Sequence, residues 1–101
     1  MYKKPNEWSQ EMFVSFLQRV IIVNSKLYYD TETVKLTDKQ YDNLCKQLLI
    51  EQSKINIEDT DYYNAFYDFD GSTGFHLYSR LTDKQRIYVD SIVNTIRFNK
   101  R

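Results

Sequence analysis

Apolar residues recur along this chain at helical rather than strand spacing. Trp8, Met12, Phe13, Phe16, Leu17, Val20, Ile21, Val23 and Leu27 fall at steps of three and four, one broad stripe of a helix predicted over residues 7–29, with Ile22 off the stripe. Residues 30–36 are polar and β-branched and break the pattern. Thr37 and Gln40 then have the spacing of a capping box, with Leu36 and Tyr41 in staple positions. The second helix that starts there fades near Ser53, and Tyr41, Leu44, Cys45, Leu48 and Leu49 make its apolar face. A short third helix is expected within residues 56–67, with Thr60 capping Asp61 onward and Tyr62, Tyr63, Phe66 and Tyr67 at helical steps. Residues 68–74, DFDGSTG, read as a loop, and residues 75–78 as a short extended piece. The last helix, over residues 83–98, is expected to pack Ile87, Tyr88, Val89, Ile92, Val93 and Ile96. The pentapeptide LTDKQ occurs twice, ending at Gln40 and at Gln85, in unrelated flanks, so it marks two helix starts rather than a repeat. The prediction is a small all-α domain over residues 1–101: a long N-terminal helix, a helix-loop-helix and a C-terminal helix.

Composition narrows the function classes. At 101 residues the chain buries about two thirds of its unfolded surface and stands without staples. Fourteen basic side chains balance fourteen acidic ones, so net charge argues for neither nucleic acid nor membrane. The charge is unevenly placed. Residues 57–70 carry Glu58, Asp59, Asp61, Asp68 and Asp70 and no base, whereas residues 80–101 carry Arg80, Lys84, Arg86, Arg97, Lys100 and Arg101 against Asp83 and Asp90. A single cysteine, Cys45, and a single histidine, His76, make neither an internal disulfide nor an ordinary closed zinc site, and point to a cytoplasmic setting. The longest apolar run, residues 20–23, is too short for a membrane span, and the N-terminal ten residues lack the apolar stretch of a secretion signal.

Candidate chemistry is sparse. DFDGST shares its opening with the haloacid-dehalogenase phosphatase motif, but Ser72 stands where that motif has Thr or Val and too little chain follows. A calcium loop starting at Asp68 requires Glu twelve positions on, where Ser79 stands. Asp and Gly in that run are what tight turns select. Cys45 lies on the apolar face of the second helix, as free cysteines commonly do, and His76 sits between Phe75 and Leu77. No catalytic and no metal-ligating residue is assigned, and no cofactor is expected.

Around the helix-loop-helix, Tyr28 and Tyr29 end one helix, and Asp38, Tyr41 and Asp42 open the next in the pattern Asp-x-x-Tyr-Asp. Over residues 16–52 this resembles the small N-terminal Ia domain of bacterial NAD-dependent DNA ligases. The resemblance implies that Tyr28, Tyr29, Asp38, Tyr41 and Asp42 are ligand-binding, clasping nicotinamide mononucleotide (NMN) or the matching half of NAD. Rings would stack on the nicotinamide and carboxylates would accept from ribose hydroxyls. Tyr29 stands where the family often has His. The ligase nucleophile motif Lys-x-Asp-Gly is absent, and the chain has no room for the domain that bears it. It is similar to short ligase-related proteins carried by bacterial viruses. For Asp38 and Tyr41 a second reading stands beside this one, because an acid in the first turn and a staple residue are selected by capping alone.

The acidic-aromatic run presents its own candidate. Glu58, Asp59, Asp61, Tyr62, Tyr63, Asp68 and Asp70 read as a partner-binding patch, because carboxylates spaced among tyrosines present negative charge as phosphates do and tyrosine anchors interfaces well. A solvated acidic face over a tyrosine-rich core fits the same residues. The expected function is therefore that of a non-catalytic binding protein of phage or mobile-element type. It would act in the host cytoplasm as an inhibitor, occupying the surface of a host protein, a nucleic-acid-handling or defence enzyme, with no direct nucleic-acid contact and no membrane contact. The alternatives are an NMN- or NAD-binding module and an accessory piece of a split ligase.

Overall fold

The computed structural model describes residues 2–31, 35–71, 74 and 76–98. It contains four α-helices, α1 (Gln10–Thr31), α2 (Asp38–Gln52), α3 (Tyr63–Phe66) and α4 (Asp83–Phe98), with 3-10 turns at Ile57–Asp59 and Tyr78–Arg80. Among the described residues there is no strand, and the fold is all-α. No helix among them is long and apolar enough to cross a membrane.

The centre of the fold is α1, and it is enclosed on most of its circumference. Phe13, Val14, Leu17, Ile21, Ile22, Val23 and Leu27 are all buried, and so are the polar Ser15, Gln18 and Ser25. The single stripe expected from the sequence is therefore too narrow. Ile22 is in the core, while Met12 is half exposed, because α2 and α4 pack on different sides of the helix. Helix α1 also begins three residues later than the pattern suggests. The Ser9 hydroxyl accepts from the Met12 amide at 3.1 Å and caps the helix there, while Trp8 closes a turn onto the Pro5 carbonyl and sets its ring 5.5 Å from that of Phe16. Upstream, the Gln47 amide grips the Tyr2 backbone twice, donating to its carbonyl at 2.7 Å and accepting from its N–H at 3.2 Å.

Both copies of LTDKQ start helices by the same device. Thr37 and Gln40 form a reciprocal capping box at α2, with bonds of 3.1 and 2.9 Å. Thr82 and Gln85 repeat it at α4, at 3.2 and 2.9 Å. On α2, Leu44, Cys45 and Leu48 are buried as expected, and Gln47 joins them.

The segment between α2 and α4 departs from the expectation in three places. The third helix is a single turn, preceded by a 3-10 turn in which the Asn56 side chain accepts from the Glu58 amide. Thr60 caps nothing downstream, because its hydroxyl donates back to the Ile57 carbonyl at 2.6 Å and accepts from Gln18. The expected extended piece is absent from its described part: His76 and Leu77 form a turn leading into a 3-10 turn, and Leu77 is fully buried; Phe75 lies outside the described residues. On α4, Val89 and Val93 are buried and Ile92 and Ile96 pack partly, but Ile87 and Tyr88 are exposed, since one helix packed on one side shows the core less than half of its circumference.

Two glycines let the loop before α4 lie close on the helices. Gly71 has φ +87°, and a Cβ there would meet Leu49 Cδ1 at 2.7 Å. Gly74 lies against the hydroxyls of Tyr41 and Ser25, which hydrogen-bond each other at 2.6 Å, and a Cβ on it would overlap both. Gly74→Ala is therefore expected to lower the unfolding free energy by about 2 to 3 kcal/mol, the cost of overpacking plus a displaced buried hydrogen bond. Urea denaturation with an unchanged m-value checks it; a midpoint equal to that of the unsubstituted chain would contradict the close approach.

Candidate functional site

Two groups of residues are candidates, one at the α1–α2 corner and one along the edge that joins α2 to α4. At the corner, Tyr28 and Tyr29 stand half exposed at the end of α1, their rings edge to face with centroids 4.9 Å apart. Asp38 and Asp42 are exposed and, four residues apart on α2, share one side of it. Tyr41 faces the other way. Its hydroxyl is hydrogen-bonded to Ser25 and covered by Gly74, and burial raises its pKa far above the ordinary tyrosine value. The structure thus gives Tyr41 a packing role and leaves Tyr28, Tyr29, Asp38 and Asp42 at the surface. Nearby Cys45 is buried too. Burial, with Asp42 adding repulsion, pushes its thiol up to about 11 against a bond from Tyr41 that pulls the other way, so it is held as a neutral thiol.

At the edge, the backbone is fixed while the acids point out. Gln18, fully buried on α1, donates to Thr60 Oγ1 at 2.9 Å and accepts from the Tyr62 amide at 3.2 Å. Ser15 accepts from the Asp61 amide at 3.0 Å, and Gln85 of α4 donates to the Asp61 carbonyl at 2.8 Å. Asn64 extends this tie, bonding Gln85 and the Arg80 carbonyl. Three consecutive residues are thereby pinned from two helices. Glu58, Asp59 and Asp61 are nevertheless exposed, and their side chains form no ion pair among the described residues.

The aromatic part of the patch is not quite the one expected. Tyr62 lies in the core at 4% exposure, its phenol raised by burial and eased by neighbouring Arg19. The outward rings are Tyr63 and Tyr67, edge to face at 6.3 Å. Tyr67 is braced by Arg80, whose guanidinium lies 4.7 Å from its centroid and bonds both oxygens of Asp68 at 2.6 and 3.2 Å. Arg80 holds the Asp68 carboxyl below the usual carboxylate range, so Asp68 is already partnered. Asp70 is exposed. Beside Asp61 an open depression of about 400 Å³ is lined by Tyr62, Thr82, Lys84, Gln85 and Tyr88.

Gln18, Gln85, Ser15, Tyr67 and Arg80 escape a reading of the sequence as site residues. Amides and hydroxyls within helices look solvent-facing there, and only Gln18, set among Leu17, Val20 and Ile21, gives a hint of burial. Of the basic C-terminal end, Arg97 closes α4 as a dipole-complementing cation, while Lys100 and Arg101 lie outside the described residues.

Compared with known protein families, curated proteins and solved structures, the chain matches none. Fold and site define a small all-α domain with one rigid acidic-aromatic edge and one exposed tyrosine corner.

The buried thiol has a pH consequence. Its ordinary value of 9.0 rises to about 11 on folding, so the stability it contributes is intact below pH 9 and is lost as pH climbs from 9 through 11, a loss on the order of 2 kcal/mol. Tyr41, raised further, extends the decline. Urea melts across that range should show the fall, with a shallower slope in Cys45→Ala; identical slopes would place the titration elsewhere.

Proposed function

We propose that this chain is a non-catalytic binding protein that acts by occupying the surface of another protein, with Glu58, Asp59, Asp61, Tyr63 and Tyr67 as its contact residues. The observation that carries this reading is the contrast at the edge: a backbone clamped by Gln18, Ser15 and Gln85 beneath exposed carboxylates that form no ion pair among the described residues. Side chains of that kind are desolvated at low conformational cost, because the ordering of the backbone is completed on folding. Negative charge steers association with a basic surface, and braced tyrosines anchor it. The basic surface we favour is a nucleic-acid channel of a host enzyme, one that handles nucleic acid or defends against mobile elements. That choice agrees with the resemblance to ligase-related proteins of bacterial viruses. The depression beside Asp61 gives a partner side chain a seat next to the carboxylates.

A second reading, an NMN or NAD module, is favoured by one observation, the half-exposed pair of rings Tyr28 and Tyr29 near α2. The occupied hydroxyl of Tyr41 leaves that module without one of its five expected contacts.

The two readings separate experimentally. A partner retained by the immobilised chain should bind about tenfold or more weakly to the triple variant Glu58→Gln, Asp59→Asn, Asp61→Asn, lose affinity steeply with added salt, and be displaced by duplex DNA. Gln18→Leu, which touches no surface atom of the edge, should weaken it as well by loosening residues 60–62. Equal retention by the triple variant, or indifference to salt, would end the acidic-edge proposal. Calorimetric titration with NMN and with NAD, repeated on Asp42→Ala, tests the alternative: saturable heat lost in the variant would make the chain a nucleotide module.

A further inference from the structure

We propose that Asp70 is a site of spontaneous covalent modification, at which the main chain reroutes through the side chain as isoaspartate and lifts Gly71 from α2. The chemistry needs only water. The backbone nitrogen of the next residue attacks the side-chain carboxyl carbon, a nitrogen–carbon bond forms, and the amide proton and the carboxyl hydroxyl leave as water. A cyclic succinimide remains. Water then adds to a ring carbonyl and breaks its bond to nitrogen. Opening at the side-chain carbonyl restores aspartate, whereas opening at the former main-chain carbonyl leaves a free carboxylate on Cα and sends the chain through the old side chain. Nothing is oxidised or reduced, and the mass is unchanged.

Sequence and structure single out Asp70 among the aspartates. It alone is followed by glycine, and no asparagine is. Glycine leaves the attacking nitrogen unshielded by a side chain and turns most freely into the ring. Asp30, Asp38, Asp42, Asp83 and Asp90 lie within α1, α2 and α4, where the helical ψ keeps the atoms of the ring out of one plane. Asp59, Asp61 and Asp68 lie outside those helices, but there the attacking nitrogen is already bonded. Thr60 donates its amide to the Ile57 carbonyl at 3.0 Å, Tyr62 to Gln18 at 3.2 Å and Phe69 to the Phe66 carbonyl at 3.1 Å. The Gly71 amide bonds no described residue, and Asp70 is exposed to the water that opens the ring.

The product does not fit where the loop now lies. Isoaspartate adds a methylene to the main chain immediately before Gly71, and Gly71 rests on α2 so closely that a Cβ there would meet Leu49 Cδ1 at 2.7 Å. The preceding residue gives no slack. Phe69 is held in the core at 7% exposure, its ring 5.0 Å from that of Phe66. The added atom is therefore accommodated outward, by moving Gly71 off Leu49. The site shares no residue with the contact surface proposed above, so it stands or falls apart from that function.

Incubating the folded chain in warm, mildly alkaline buffer tests both parts. A protein isoaspartyl methyltransferase with a labelled methyl donor should report isoaspartate rising with time. Trypsin should confine the label to the peptide released by cleavage after Lys54 and Arg80, and fragmentation in the mass spectrometer should locate it at residue 70. Asp70→Glu, whose larger ring closes far more slowly, should lose the signal down to the level of the unincubated chain. The modified form, separated from the unmodified one at equal mass, should unfold at a lower urea midpoint. An incubated native chain without isoaspartate at residue 70 would overturn the proposal. So would a signal that survives Asp70→Glu, or a modified form with an unchanged midpoint.

Discussion

A helix that is apolar on most sides has to be wrapped, and this requirement governs the molecule. Helix α1 is enclosed by α2, α4 and the linking segment, and the enclosure reaches as far as a glutamine. Gln18 is an amide with no water left to bond, so the chain that covers it must bring a donor and an acceptor of its own. Thr60 and Tyr62 do so. The conformation of the acidic segment is thus set from beneath by Gln18, with Ser15 beside it on the same helix and Gln85 reaching in from α4.

The same solution recurs across the fold. Gln10 ties the start of α1 to the end of α2 through Glu51, holding that carboxyl below its usual range, and Gln47 grips Tyr2. Gln85 closes the α4 cap with its oxygen and reaches Asp61 with its nitrogen. Where sheets join distant segments by backbone ladders, this protein joins them by side-chain amides, each offering the donor and acceptor of a peptide group. Two of these four ties, those of Gln18 and Gln85, converge on residues 60–64, which is why a segment with little regular structure holds its backbone in a fixed position.

What the sequence makes legible is what local chemistry decides. Both capping boxes, the three long helices and the buried thiol follow from spacing within five to twenty residues. What escapes it depends on distant packing. Tyr62 and Tyr63 are equivalent as letters, and packing against distant residues, with Gln18 holding the Tyr62 amide, turns one into the core and the other out. Thr60 reads as a helix cap because its neighbours permit one, until Ile57 and Gln18 claim its hydroxyl. Ile87 reads as core because periodicity counts apolar residues without knowing how many sides of a helix are covered. At the α1–α2 corner, the pattern that suggests a nucleotide site places its rings and acids at the surface, while Tyr41 is drawn inward by Ser25 and Gly74.

Joining segments by amides also gives the molecule a chemical clock. Hydrolysis of a side-chain amide to a carboxylate exchanges a donor for a negative charge at nearly constant volume; fully buried Gln18 is shielded from the water it consumes, whereas Gln10 and Gln85 are partly open to it. No refolding step reverses it. Heat or prolonged storage can therefore retire this protein by ageing its crosslinks one at a time, leaving helices intact while the edge comes loose, so that its useful lifetime is a rate rather than a melting point.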